Sequence, residues 1–468
     1  MPRFLAFDLG AESGRAILGT LTKATLRLDE LHRFLNEPVQ LPTGLYWDVL
    51  RLFHEVRRGL TIAGRERKLP LDGIGVDTWG VDFGLLGSDG ALVANPRHYR
   101  DPHTNGALER VFAVVPKNRI YEETGLQFLQ FNTLFQWHAL REAESPALRE
   151  ARRLLFLPDL ISYFLTGVQK CEQTIASTSQ FYNPRTQRFA CGLLERLGLD
   201  AGLLPEIIPP GTRLGPLLPD VGDATGLPSV PVYATASHDT ASAVAAVPAE
   251  GDEWCYISSG TWSLMGVELE QPIINAQALR ANFTNEVGAA GRIRFLKNIA
   301  GLWLVQECRK AWALEGNAYT YDDLTEMAEK AAPDIARLDP DAFMEPGDMP
   351  KKIAAYCRYT RQPVPKQPGA MVRVILESLA ERYAQVLVNL ESLTGKHIRV
   401  IHIVGGGSRN KLLNRLVAEK TGRTVVAGPT EATAIGNIMV QAIGAGNVKG
   451  LEEARAVVRR SFPVEKIS

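Results

Sequence analysis

Three kinds of stretch carry residues whose types and spacing suit chemistry. The first is Ser237-His238-Asp239-Thr240, where a short apolar strand predicted from Val230 to Ala236 breaks into a small-residue helix. Ser, Asp and Thr are favoured at such a corner because their side-chain oxygens accept from the unpaired amides of a first helical turn. Asp239 thus has two readings: a helix cap, or a carboxylate beside an imidazole on a rigid corner, acting as a general base. The second stretch is Gly10-Ala11-Glu12-Ser13-Gly14-Arg15, a hairpin tip directly after Asp8. Its glycines let backbone amides approach an anion closely, and Ser13 and Arg15 add a hydroxyl and a guanidinium suited to phosphate oxygens. Asp8 could hold a hydrated Mg²⁺ through its waters. The plain alternative is a tight hairpin with a salt bridge. Ser258-Ser259-Gly260-Thr261 repeats the device in the second half. The third stretch, IVGGGSRN, is an apolar strand running into Gly405, Gly406 and Gly407 and then a helix, a turn on which a flat ring can lie and whose helix start favours negative charge. A flexible linker is its alternative.

The elements that must position these residues form two similar series. Phe4 to Phe7, Arg15 to Leu21 and Leu26 to Phe34 are predicted strands of an antiparallel meander, and Trp47 to Ala63 carries a helical apolar stripe. Asp72 to Leu86 alternates through a Gly-rich middle and predicts a strand interrupted by a site loop. The stretch from about 95 to 225, Pro-rich at its end, is expected to be connection rather than chemistry. After the corner the plan recurs: strands Trp254 to Ser258, Trp262 to Val267 and Phe295 to Ile299, then a helix from Gly301 to Trp312. A long helix, Ala370 to Leu393, leads to the strand Val400 to Val404 and the helix Lys411 to Lys420. The strand Thr424 to Ala427 and a helix after Glu431 close the series.

Composition sets bounds. A chain of 468 residues exceeds one core and predicts two domains, and 52 Lys+Arg against 52 Asp+Glu leave no overall field to recruit nucleic acid or anionic lipid. The five cysteines lie far apart without a CxxC pair, as expected of reduced thiols in a cytoplasm. MPRFLAFDLG enters a strand at once, without the apolar region of a signal peptide, and no apolar run approaches membrane-spanning length.

With these residues in view, the sequence resembles the FGGY family of carbohydrate kinases, within the actin-like ATPase superfamily. DLGAESGR is similar to the family's first phosphate motif, SSGTWS to its second, IVGGGSRN to its adenosine motif and GPTEATAIGNIMVQA to its C-terminal signature. GVDTWGVDFGLL, RDPHTNG, GLQFLQFNTLFQ, SHDTASAV, SSGTWSLMG and LKNIAGLWLVQE resemble the L-rhamnulose-phosphorylating branch of the family, from near the first residue to about 445. The resemblance implies an α/β fold of two actin-like ATPase (ribonuclease H-like) domains flanking a central cleft that closes to exclude water. The expected domains are 1–246, with the sugar site and first phosphate loop, and 247–468, with the second phosphate loop and adenosine motif. It implies ATP-dependent phosphorylation of L-rhamnulose at its 1-hydroxyl, with ATP and Mg²⁺ required. Asp239 matches the proton acceptor; Gly80, His238, Thr240 and Asn298 match positions around the sugar. Ala11, Glu12, Ser13, Gly14, Arg15, Thr261, Gln306 and Gly406 match the ATP contacts. Two departures stand out: Ala11 where many sugar kinases carry Thr, and His103 where members often carry Arg.

Phosphoryl transfer proceeds through a loose transition state, so positioning and charge neutralisation outweigh base strength. On that view a helix-N-terminal Asp239 is expected to stay ionised, its pKa lowered by the dipole. Trp79, Asp82 and Phe83 offer an aromatic face and a carboxylate to a polyhydroxy substrate, or else pack a core. Two alternatives stay open at this point. One is a kinase for another ketose such as L-fuculose or L-xylulose. The other is an actin-like ATPase acting on a protein partner, which would have no need of the SHDT corner. No nucleic-acid or membrane partner is expected, and oligomeric state is unreadable beyond a possible monomer.

Overall fold

The computed structural model describes residues 1–468. Its chain folds into two compact units that interleave along the sequence: 1–248 with 268–295 and 432–462, and 249–267 with 296–431 and 463–468. No helix is long and apolar enough to cross a membrane.

The sheet of the first unit places Thr212–Pro216, Pro231–Ala234, Gly73–Thr78, Arg3–Leu9, Ser13–Leu21 and Leu26–Leu35 side by side. Arg3–Leu9 pairs antiparallel with Ser13–Leu21 and parallel with Gly73–Thr78, which is parallel to Pro231–Ala234. Central parallel strands need apolar residues on both faces. Phe4, Leu5, Ala6 and Phe7 supply them, all at 0% exposure. The helix Val49–Thr61 forms under the predicted stripe, started by Asp48 Oδ1 accepting from the Arg51 amide at 3.1 Å.

Three elements differ from expectation. The strand predicted from Val230 to Ala236 is confined to Pro231–Ala234, because the following polar residues leave the ladder: Thr235 Oγ1 donates to the Asn437 carbonyl at 3.1 Å. The interrupted strand of 72–86 is two strands in two sheets, Gly73–Thr78 and Phe83–Leu86. Between them Val81 adopts φ 72°, a left-handed conformation that a β-branched residue rarely accepts. Its backbone is clamped by Thr178 Oγ1, which accepts the Val81 amide at 3.1 Å, and Thr133 Oγ1, which donates to its carbonyl at 2.7 Å. The helix expected from Gly301 begins at Trp303.

The second unit repeats the plan. Ile293–Ala300, whose first three residues belong to the first unit, Trp262–Leu269, whose last two do, Trp254–Ser259, Val400–Val404, Thr424–Ala427 and Glu465–Ile467 are successive neighbours. The Trp254 strand is antiparallel to the returning Trp262 strand and parallel to Val400–Val404. The long helix spans Pro368–Thr394 and packs against Lys411–Thr421. In the first unit the helix Ala432–Gly444 lies against Asp239–Ala245. A Cβ at Gly436 would stand 1.7 Å from the Ser242 carbonyl oxygen, so the approach needs glycine.

Candidate active site

The corner after Pro231–Ala234 is braced from two sides. Thr78 donates its amide to the Ser237 carbonyl at 2.9 Å, tying the corner to the end of Gly73–Thr78. From the other side, Glu172 Oε2 accepts the Ser237 amide at 3.1 Å and Thr174 Oγ1 accepts the His238 amide at 3.1 Å. The Thr174 hydroxyl donates to the same Glu172 oxygen at 2.5 Å, so the two side chains act as one support. Burial pushes the Glu172 carboxyl up to about 7, against the donors that favour its ionised form. Both residues lie within the 95–225 stretch expected to be mere connection, and that expectation is corrected. The sequence signal was faint: a Glu with a Thr two residues on, whose side chain caps a four-residue helix, Gln173–Ala176.

Asp239 is the first residue of Asp239–Ala245, and the position before it, His238, makes no side-chain cap. Asp239 Oδ1 accepts from the Thr240 amide at 2.5 Å and the Thr240 hydroxyl at 3.1 Å. Of the two carboxylate oxygens, Thr240 anchors Oδ1. The side chain keeps 31% of its surface accessible. Its pKa is raised, first by burial and further by the Asp8 charge, with His238 and Thr240 opposing. The carboxyl expected to be lowered by the helix dipole is instead raised, with burial the largest cause.

Asp8 and Asp77 are register partners on adjacent parallel strands. Asp8 also faces Arg15 across the hairpin and forms an ion pair with it. Asp77 is fully buried, its Oδ2 accepting from Asn437 Nδ2 at 2.5 Å while Oδ1 has no hydrogen-bond partner. Its carboxyl is pushed well above the usual range by burial, then by Asp8 and Asp239. Crowded like charges, oxygen-only donors and an orphaned buried oxygen fit a hard divalent cation such as Mg²⁺. No three acids converge as direct metal ligands. The turn is secured by Asn36, whose Nδ2 donates to the Gly10 carbonyl at 2.9 Å and whose amide donates to the Glu12 carbonyl at 3.0 Å. Gly10 N donates to Ser13 O at 3.0 Å, closing the tip that carries Ala11 and Glu12, with Ser13, Gly14 and Arg15 starting the return strand.

Asp82 does not offer itself to a substrate. Its Oδ2 accepts from Trp47 Nε1 at 2.6 Å and Trp79 Nε1 at 2.8 Å, and its Oδ1 from Gln136 Nε2 at 2.9 Å. Burial raises its carboxyl to about 7. The carboxylate is an indole clamp, setting Trp47 and Trp79 with ring centroids 4.1 Å apart. Phe83 is buried on the next strand. Gly80 sits between, where a Cβ would come within 3.0 Å of Thr178 Cγ2. His103 bonds Asp101 Oδ1 through Nδ1 at 2.7 Å, a pair that belongs to its own loop.

In the second unit the hairpin and the glycine turn meet. A Cβ on Gly407 would stand 2.0 Å from Ser259 Oγ, so only glycine lets the turn seat on the hairpin strand. Gly405, at φ 85°, donates to the Pro429 carbonyl at 3.2 Å. The helix Trp303–Leu314 docks on the same hairpin: Leu302 N donates to Gly260 O and Trp303 N to Thr261 O, each at 3.1 Å. Thr261, Gln306 and Gly406 are thereby placed on three elements that share this hairpin. Gln306 Oε1 is buried without a partner. Asn298 lies on Ile293–Ala300, the strand beside Trp262–Leu269.

Comparison with known proteins agrees along the whole chain. The model described as the FGGY family of carbohydrate kinases, N-terminal domain, matches residues 3–246, and the C-terminal domain model matches residues 255–445. A rhamnulokinase of Bacteroides thetaiotaomicron is 47% identical over 464 residues, covering 99% of this chain and 95% of that one. A rhamnulokinase of Oceanobacillus iheyensis is 40% identical over 459 residues, covering 98% and 96%. Among solved structures, a ligand-bound xylulose kinase from Lactobacillus acidophilus superposes with a TM-score of 0.79 at 16% identity, covering 100% of this chain and 93% of that one. The Plasmodium falciparum glycerol kinase with ADP gives 0.77 at 15% identity, covering 99% and 94%. The likeness shows the fold: two α/β domains of the actin-like ATPase type.

Proposed function

The chain belongs to the FGGY family of carbohydrate kinases, and from that premise we propose that it transfers the terminal phosphoryl group of ATP to the 1-hydroxyl of L-rhamnulose. The product, a ketose 1-phosphate, is a substrate for aldol cleavage in L-rhamnose catabolism. As a sugar kinase it is a phosphotransferase with an alcohol acceptor. Membership along both halves sets aside an ATPase acting on a protein partner. The five free cysteines suit a reducing cytoplasm.

The observation that carries the mechanism is the asymmetric anchoring of Asp239: Thr240 holds Oδ1, and Oδ2 takes the hydroxyl proton as the new P–O bond forms. A raised pKa makes the group a better acceptor. The Glu172–Thr174 brace holds the Ser237 and His238 amides of the corner that carries it. Gly80, His238, Thr240 and Asn298 are assigned to the sugar. Residues 11–15, Thr261, Gln306 and Gly406 are assigned to ATP, where glycine-rich turns offer backbone amides to phosphate oxygens. Mg²⁺, held by Asp8 through water, would neutralise phosphate charge when bound. Residues 1–246 would carry the sugar site and first phosphate loop, and 247–468 the second loop and adenosine motif.

The test is ADP formation measured across L-rhamnulose, L-fuculose and L-xylulose. We expect turnover only with ketose present and the highest kcat/KM for L-rhamnulose. ADP release without sugar, or a preference for another ketose, overturns the assignment.

A further inference from the structure

His238 is 6% exposed, and Arg294, buried at 0% exposure, reaches its ring. Arg294 is the second residue of the strand Ile293–Ala300, and three contacts fix its guanidinium. Nε donates to the Val287 carbonyl at 3.1 Å, Nη2 donates to Glu286 Oε2 at 3.1 Å, and Nη2 lies 3.0 Å from His238 Nδ1. A guanidinium has donors and no acceptor, so the hydrogen in the last contact belongs to Arg294 and Nδ1 supplies a lone pair. A neutral imidazole with its lone pair on Nδ1 carries its hydrogen on Nε2. Two acids also face the ring: Glu286 Oε2 lies 3.4 Å from Nδ1, and Asp239 Oδ1 lies 3.4 Å from Nε2. Glu286 alone would draw the hydrogen to Nδ1. The nearer Arg294 donor opposes this and satisfies Glu286 as well.

We propose that Arg294 is a positioning residue that fixes His238 as its Nε2–H tautomer, so that the imidazole presents a hydrogen-bond donor to a sugar oxygen and Asp239 remains the sole proton acceptor of the corner. The proposal deepens the reading given above, since it rests on the ketose lying at His238. It fixes the chemistry of the contact: the substrate atom opposite His238 accepts a hydrogen bond. An analogue lacking that oxygen loses the contact. In Arg294→Met the buried Glu286 is left beside Nδ1, the hydrogen moves there, and Nε2 becomes an acceptor facing an acceptor.

The direct test is ¹⁵N NMR of the full-length protein labelled at histidine, with the His238 signals assigned by their loss in His238→Asn. In the wild type we expect Nδ1 in the unprotonated chemical-shift range and Nε2 in the protonated range. Arg294→Met should reverse or average the pattern and raise KM for L-rhamnulose about three- to tenfold, the worth of one neutral hydrogen bond, with KM for ATP unchanged. Arg294→Lys, which keeps a cationic donor, should restore the wild-type tautomer and most of the KM. A wild-type Nδ1 that is protonated overturns the proposal whether or not the Met variant folds, as does a Met variant with an unaltered tautomer. Failure of every ketose to support ADP formation would remove the substrate assignment and leave the tautomer measurement standing, so the two failures are distinguishable.

Discussion

Asn437 Nδ2 donates to Asp77 Oδ2 at 2.5 Å, a bond between residues 360 positions apart. Gln441 Nε2 donates to Asn437 Oδ1 at 2.7 Å, which orients the amide so that its NH₂ faces the acid. The C-terminal signature thus holds a carboxylate in register with Asp8. Asn437→Ala leaves a second buried Asp77 oxygen unpaired and should lower the unfolding free energy by about 1–3 kcal/mol. Asn437→Asp should cost more at neutral pH and less in acid, where a protonated carboxyl can donate again. Urea unfolding at pH 5 and pH 7.5 checks both; unshifted midpoints would show that the bond contributes nothing.

Asp239→Asn keeps the size of the side chain and can still accept from Thr240 through its carbonyl oxygen, but it has no second oxygen to take a proton. We expect kcat to fall by about 10²–10⁴, with KM for L-rhamnulose changed only a few-fold. Steady-state kinetics decide it. A variant with near wild-type kcat would reassign the base.

As the proposed base, the same group should set the acid limb of the pH profile. It would act deprotonated, and burial, with the Asp8 charge, raises its pKa. Turnover therefore falls as pH drops through a value above that of an ordinary carboxylate, about 4. A dipole-stabilised Asp would place the limb below that value. Measuring kcat/KM from pH 4 to 8, with protein shown folded throughout, separates the two.

Much of this was legible in the sequence because it is local. The antiparallel meander, the glycine hairpins and the SHDT corner rest on short-range alternation and turn chemistry, and each formed where its residues stand. Support from a distance was not legible. Glu172 gives no periodic signal that it will receive the Ser237 amide, and Asp82 looks like a ligand group until Trp47 and Trp79 are seen donating to it. Arg294 lies in a mostly apolar strand, IRFL, with nothing to mark its partner 56 residues earlier. Long-range satisfaction of buried polar groups is a property of the packed chain, and a pattern read over a few residues does not contain it.

Glu172 makes a pH-linked prediction of stability. Its carboxyl rises from the usual 4.5 to about 7 on folding, so the native state binds the proton more tightly than the unfolded chain. The contribution is fully present below pH 4.5 and is lost as pH rises to about 7, by an amount on the order of 3 kcal/mol at 1.36 kcal/mol per unit. Asp82 adds the same sign over a similar window. Glu172→Gln should flatten the decline of unfolding free energy between pH 5 and 7. An identical slope in the variant would place the proton elsewhere.

The seating of the glycine turn on the hairpin yields a prediction confined to the nucleotide. A Cβ at 407 would stand 2.0 Å from Ser259 Oγ and 2.7 Å from its Cβ, distances that no rotamer change relieves because the second atom is fixed by the backbone. Gly407→Ala must push the turn off the strand, so KM for ATP should rise about tenfold or more, as expected for displaced binding groups, while KM for L-rhamnulose changes little. Ser259→Gly removes both clashing atoms and leaves only the Ser259 carbonyl oxygen at 3.0 Å. The double variant should recover much of the ATP affinity, a non-additivity that marks direct contact between the two sites. Rescue is the decisive readout: general destabilisation by Ala would be worsened, not repaired, by a second glycine in a strand. If the double variant binds ATP no better than Gly407→Ala, the turn and the hairpin are not coupled through this contact.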